Sequence, residues 1–316
     1  MTTLRKLDVL VWQGDENELY RPLLNSDFAR FTYRTASVAI DEPLRSADVI
    51  FASTFFPAEL LHMAHRLRWI HVAAAGVDRF VGGSYIPEGV ILTRSDVSFG
   101  DSIAEYVIGH CLAHMQRLRD VFHLQQRRKW RPLEISLLKG RTMGIAGTGS
   151  VGRVVADRAG AMHMRVLGYA KTSRDIEKFE RVYGPEQLLA FLAQLDILVL
   201  CLPLTSETHA FIGAQELSAM KPTALLINVA RGAIMDEAAL IDALRENRIE
   251  AAVLDVFEEE PLSENSPLWT MENVTVTAHH SGPNMPKEIA AYFLDNLERF
   301  ATGLELKGIV DLKRGY

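Results

Sequence analysis

The chain has 316 residues, 48% of them hydrophobic and 23% charged, with a net charge of −6. That balance fits a soluble globular protein with one large or two medium domains and excludes a disordered or fibrous chain. The acidic charge gives no ground for a nucleic-acid or anionic-membrane partner.

Taken in chain order, Arg5 and Lys6 precede the apolar run "LDVLVW", which Asp8 interrupts. This reads as a strand, not as a signal peptide or membrane span. "ADVIFAS" and "RWIHVAA" are further strands, with the helical stretch "PAELLHMAHRL" between them. Next the apolar spacing predicts one long helix over 102–126, opened by a capping box of Ser102 and Glu105. Its apolar residues Ile103, Val107, Ile108, Leu112 and Met115 need a partner surface. Six strands follow, "TMGIAG", "RVLGY", "DILVLCL", "ALLINVA", "EAAVLDV" and "VTVTA", with helical segments between most of them. Such alternation predicts parallel sheets in an α/β fold. A last helix is expected over about 286–301. The expected organisation is two Rossmann-like α/β domains with parallel sheets: 1–99 plus 285–316 for substrate and 100–284 for dinucleotide, with the C-terminal helix completing the first. Cys111 and Cys201 lie in apolar runs and read as buried reduced thiols, which suits a cytoplasmic protein. No Cys/His cluster of metal-binding type is present, so no metal is expected.

"GTGSVG" follows a strand and opens a helix, the context that gives this spacing meaning. Gly147 permits the tight turn, Gly149 lets the backbone approach a pyrophosphate, and Gly152 lets helix and strand pack closely. Free N–H groups at the helix start then face the phosphates. An Asp or Glu roughly 20 residues later would normally grip the ribose of NAD. Here Ala170 stands at that place, followed by Lys171, Thr172, Ser173 and Arg174. Without the acid there is no charge to repel a 2′-phosphate, and an Arg fork suits that group. The turn therefore favours NADP, with NAD also possible.

Three further segments, "INVARG", "LDVFEEEPL" and "VTVTAHHSGP", put Arg231, Asp255, Glu260, His279 and His280 at the carboxyl ends of predicted strands, where α/β sheets bind ligands. An Arg can clamp a carboxylate in bidentate fashion. A His can give a proton to a carbonyl oxygen, and a Glu can hold the imidazole in one orientation.

With "GTGSVG", "CLPLT", "INVARG", "LDVFEEEPL" and "TAHHSG" in this order, the chain resembles the D-isomer-specific 2-hydroxyacid dehydrogenase family along nearly its whole length. The resemblance implies Arg231 as the arginine that binds and polarises substrate, Glu260 as partner of the catalytic histidine, and His279 as that histidine. The register favours His279 over His280, although Ala278 stands where the family usually has Pro. It further implies cofactor contacts from Gly147, Thr148, Gly149, Ser150, Val151 and Gly152. Lys171, Ser173, Arg174, Cys201 and Pro203 belong with them, and Asp255 sits near the nicotinamide carboxamide. "AAAGVD" (73–78) resembles the loop whose amides, at Ala75 and Gly76, meet the substrate carboxylate. A homodimer built on the nucleotide domain is implied too. Trp130 reads either as core or as a pocket-lining residue of the glyoxylate and hydroxypyruvate reductase branch.

The resemblance implies that the loop "FASTFFP" approaches the substrate; it holds no Arg or Lys to meet a phosphorylated acid, and Glu260 in place of Gln argues against the formate dehydrogenase branch. Small 2-oxo acids such as glyoxylate and hydroxypyruvate are left, to be reduced to the D-2-hydroxy acid with NADPH. Other uses of the same fold are a nucleotide-sensing co-repressor, a phosphite-type enzyme and a branched 2-oxo acid dehydrogenase.

Overall fold

A computed structural model describes residues 5–35, 41–83, 85–95 and 99–315. The chain divides into two compact units, Met1–Ser98 with Asn284–Tyr316, and Phe99–Pro283.

The first unit is built on five parallel strands: β1 (Leu7–Trp12), β2 (Ala29–Tyr33), β3 (Val49–Ala52), β4 (Trp69–Val72) and β5 (Ile91–Arg94). They lie in the order β2-β1-β3-β4-β5. β3 and β4 are buried at every position, as expected for parallel strands covered on both faces. The C-terminal helix Pro286–Thr302 belongs to this unit. Its Phe293 stacks on Phe51 and Trp69, with ring centroids 4.4 and 5.3 Å apart. Beyond the helix, Val310 N–H donates to the Leu92 carbonyl at 2.9 Å, and Arg94 N–H donates to the Gly308 carbonyl at 3.0 Å.

The second unit holds seven parallel strands: β6 (Thr142–Ala146), β7 (Arg165–Tyr169), β8 (Arg181–Tyr183), β9 (Ile197–Leu200), β10 (Leu225–Asn228), β11 (Ala251–Leu254) and β12 (Val274–Val276). Their order is β12-β11-β10-β9-β6-β7-β8. The chain runs outward from β6 to β8, returns to the other side of β6, and runs outward again, which is the doubly wound pattern. The order reverses between β6 and β9. Pairing puts Tyr169, Ala146, Leu200, Asn228, Leu254 and Val276 in one row across the sheet. The strands therefore end level, and everything that follows them emerges along one edge.

Several local expectations are corrected. The long helix is two helices, Gly100–Met115 and Leu118–Gln126, parted by Arg117 in the left-handed conformation (φ 52°). The capping box is not formed. The helix starts two residues before Ser102, whose hydroxyl donates to the Phe99 carbonyl instead of accepting from an amide. Ile103, Val107, Ile108 and Met115 are buried within the chain, in a helix that packs on Ser150–Ala161. Of the five apolar residues on that stretch, Leu112 stays exposed. "PAELLHMAHRL" forms only the 3-10 turn Ala58–Met63. Strands β2, β5 and β8 are additional to the expected set. Trp130 is not a core residue but fully exposed, and Cys201 is half-buried where Cys111 is buried. Among the described residues, no helix is long and apolar enough to cross a membrane.

Candidate active site

The glycine turn leaves β6 with Gly147 at φ 104°, a conformation closed to most side chains. A Cβ on Gly147 would lie 2.5 Å from the Cys201 carbonyl oxygen, so the turn after β6 packs directly on the turn after β9. A Cβ on Gly152 would lie 2.0 Å from the Gly147 oxygen, which is the close helix–strand approach expected of the third glycine. Gly149 faces open space, with nothing within 4 Å of the Cβ it lacks. No side chain caps the helix Ser150–Ala161, so its first N–H groups are open to an anion. Thr148 is buried, Val151 half-buried and Ser150 exposed. The Pro203 carbonyl is taken by the Thr208 hydroxyl at 2.6 Å. Although Cys201 as a whole is half-buried, burial of its thiol pushes that group up to about 12.

The turn after β7 is less uniform than its sequence. Lys171 Nζ contacts both carboxylate oxygens of Glu207, at 2.6 and 2.7 Å. The Ser173 hydroxyl donates to the Val182 carbonyl at 2.8 Å. Arg174 is exposed and has no hydrogen bond or ion pair among the described residues.

Two strands from β6, Arg231 leaves the end of β10. Asn228, fully buried, clamps this turn by accepting from Ala230 N–H at 3.0 Å and donating to the Arg231 carbonyl at 3.0 Å. Arg231 Nη1 donates to the Ala230 carbonyl at 2.7 Å.

Beyond β11, Glu260 uses its two oxygens differently. Oε1 accepts from Phe257 N–H at 3.0 Å and fixes the carboxylate to its own loop. Oε2 lies 2.8 Å from Nδ1 of His279, just past β12. An ionised carboxylate only accepts, so Nδ1 carries the proton and Nε2 is directed away from Glu260. The His280 ring makes no such contact and lies 5.8 Å from the Tyr106 ring.

Asp255 is fully buried at the end of β11. Burial works to raise its pKa, but hydrogen bonds from the Ser281 and Thr277 side chains and from the Ser281 and His280 backbone outweigh it. The carboxyl is held below its usual range. Tyr106, Thr277 and Asn228 support this edge and were not among the expected residues. Ala75 and Gly76, in the first unit, are half-buried after β4, with the Ala75 carbonyl bound by Arg94 at 3.2 Å. Among the described residues, the amides of Ala75 and Gly76 donate to no other group of the chain. No group of three His, Cys, Asp or Glu among the described residues could hold a metal ion.

A doubly wound parallel sheet, a glycine turn on its first strand and a His–Glu pair on the same edge define a nicotinamide-dependent oxidoreductase. Residues 108–281 match the model of the D-isomer specific 2-hydroxyacid dehydrogenase NAD-binding domain. Glyoxylate/hydroxypyruvate reductase A of Serratia proteamaculans (strain 568) is 33% identical over 267 residues, 82% of this chain and 85% of its own. A D-isomer specific 2-hydroxyacid dehydrogenase family protein from Aeromonas salmonicida superposes with a TM-score of 0.88 at 34% identity, covering 96% of this chain and 99% of that one. The NADPH-dependent glyoxylate/hydroxypyruvate reductase of Sinorhizobium meliloti, solved with NADP and sulfate, gives 0.87 at 28%, covering 98% and 99%. The chain belongs to the D-isomer specific 2-hydroxyacid dehydrogenase family.

Proposed function

We propose that the protein reduces a small 2-oxo acid, glyoxylate or hydroxypyruvate, to the D-2-hydroxy acid with NADPH. The observation that carries this reading is the His279 Nδ1–Glu260 Oε2 pair at 2.8 Å, on the sheet edge that also bears the open glycine turn. The groove at Gly149 and the uncapped helix start fit a dinucleotide pyrophosphate. Bound NADPH would supply hydride to the carbonyl carbon of the substrate. Arg231 holds the substrate carboxylate. His279 gives its Nε2 proton to the carbonyl oxygen as charge develops there. The proton donor is the imidazolium, protonated at both nitrogens; Glu260 accepts from its Nδ1–H and orients the ring so that Nε2–H points away.

Arg174, aided by Ser173 and by Lys171 once it leaves Glu207, holds the 2′-phosphate. Absence of an acid at Ala170 supports NADPH over NADH. The names of similar proteins point the same way, the Serratia relative for substrate and the Sinorhizobium structure for cofactor. Exposed Leu112, Leu118, Val121, Phe122, Ile135 and Leu137 cluster within 26 residues of sequence and support a homodimer through this stretch.

A panel of glyoxylate, hydroxypyruvate, pyruvate, a branched 2-oxo acid and phosphite, each with NADPH and NADH, tests the assignment. Turnover of the first two with NADPH is expected. Cofactor binding with negligible turnover would favour a nucleotide sensor instead, and light scattering at micromolar concentration should give the mass of a dimer.

A further inference from the structure

The segment that carries His279 is held in an unusual way. His279 sits at φ 51°, in the left-handed region that a residue with a Cβ adopts only at a cost. Such a conformation persists when its surroundings over-determine it. Here one residue does so. The N–H groups of His279, His280 and Ser281, three in succession, donate to the Asp255 carbonyl, Oδ1 and Oδ2, each at 2.9 Å. The His279 amide is thus held by the Asp255 main chain, and the two amides that follow it are held by the Asp255 carboxylate, as consecutive amides hold an anion in a nest.

The carboxylate is held in turn. The Thr277 hydroxyl donates to Asp255 Oδ1 at 2.5 Å. Its single proton is thereby used, so at 2.7 Å Tyr106 donates its own hydroxyl proton to Thr277 Oγ1. Three protein donors, the Thr277 hydroxyl and the His280 and Ser281 amides, reach the two oxygens of Asp255. Asp255 is fully buried.

We infer that Asp255 is a positioning residue for His279. It holds the left-handed turn that aims the imidazole at Glu260, and the relay Tyr106–Thr277 holds Asp255. This deepens the reading of His279 as proton donor and rests on it. The route from Tyr106, on the helix Gly100–Met115, to His279 passes through side chains alone and then through one backbone turn.

The test uses the full-length protein with Asp255→Asn, Thr277→Val, Thr277→Ser and Tyr106→Phe. Crystal structures of the wild type and of Thr277→Val and Asp255→Asn are read for the His279 φ and the Nδ1–Oε2 distance, which needs no substrate. The expected result is loss of the left-handed turn in Asp255→Asn, whose amide meets one of the turn N–H groups donor to donor. In Thr277→Val the His279–Glu260 contact should lengthen beyond hydrogen-bond range. In kinetics with NADPH and glyoxylate, Thr277→Val should lower kcat about 10-fold, as expected for a hydrogen bond to a charged group. KM and the NADPH Kd from fluorescence titration should stay within about twofold. Tyr106→Phe should show a smaller kcat loss of the same kind, and Thr277→Ser should restore the wild-type value. An unchanged His279 turn in both crystal structures would overturn the inference. So would a variant series in which NADPH affinity falls while kcat holds, since that is the signature of a cofactor contact. If the wild type reduces none of the 2-oxo acids, the proposed reaction fails while the crystal structures still decide the role of Asp255.

Discussion

The backbone of Gly232 lies against that of Phe257 so closely that a Cβ on Gly232 would fall 1.9 Å from the Phe257 carbonyl carbon. Gly232 follows Arg231, and Phe257 N–H binds the Glu260 carboxylate. The two turns that carry the arginine and the glutamate are therefore spaced by a missing side chain. Gly232→Ala should push them apart by close to an ångström, and a displacement of that size can cost about 100-fold in rate. The measurement is kcat/KM beside the melting temperature. A variant that melts lower yet keeps full activity would show that the spacing serves stability alone.

His279→Ala should lower reduction of the 2-oxo acid at least ~100-fold, the low end for loss of a general acid. His280→Ala keeps the N–H that binds Asp255 and should be far milder. Arg231→Lys should also be severe, because an ammonium cannot replace a bidentate fork. Steady-state kinetics of the three variants, side by side, check the assignment. A damaging His280→Ala beside a mild His279→Ala would reverse the order of the two histidines.

Cofactor choice should be separable from chemistry. The β7 and β12 ends are five strand spacings apart, roughly 24 Å. Arg174→Ala should thus raise the NADPH Kd, by about 10- to 150-fold for a charge-assisted bond of ~1.5–3 kcal/mol, and leave kcat and NADH binding nearly unchanged. Ala170→Asp should move the preference toward NADH. Glu207→Gln releases Lys171 and should tighten NADPH with a steeper salt dependence. Equal weakening of both cofactors by Arg174→Ala would remove the turn from phosphate recognition.

A pH effect on folding should come from the first unit. His71 is fully buried, between Thr93 at 2.7 Å and Ser95 at 3.0 Å, and burial drives its pKa from 6.5 down to about 3. The folded state keeps it neutral, whereas the unfolded chain takes up a proton below about pH 6.5. Between those values the unfolded state binds more protons, so stability falls as the pH falls, by up to ~1.4 kcal/mol per unit. Denaturant melts from pH 7 to 4 should show this slope, and His71→Gln should flatten it. An unchanged slope in the variant would place the acid sensitivity elsewhere.

What the sequence disclosed depends on how local each cause is. The buried strands were legible because parallel strands covered on both faces are unbroken apolar runs. β2 and β8 were not, since "ARFTY" and "RVY" lie at sheet edges and carry exposed polar positions. The stop at Arg117 has no Gly or Pro to announce it. Arg231, Glu260 and His279 were legible as motifs on three strand ends. The pairing of Lys171 with Glu207 and the chain from Tyr106 to Thr277 were not. Their partners lie 36 and 171 residues apart, and only the folded sheet brings them together.

The first unit takes its core from both ends of the chain. Phe293 fills the space between Phe51 and Trp69, and the strand β5 receives its outer hydrogen bond from Val310. During synthesis, residues 1–98 leave the ribosome without these partners and wait while 99–283 is made. At ~5–20 residues per second that delay is roughly 10–40 s. The nucleotide unit is a continuous stretch, 99–283, and has all its residues in hand before the first unit does. Truncation of the last 33 residues should leave the first unit unable to finish its core.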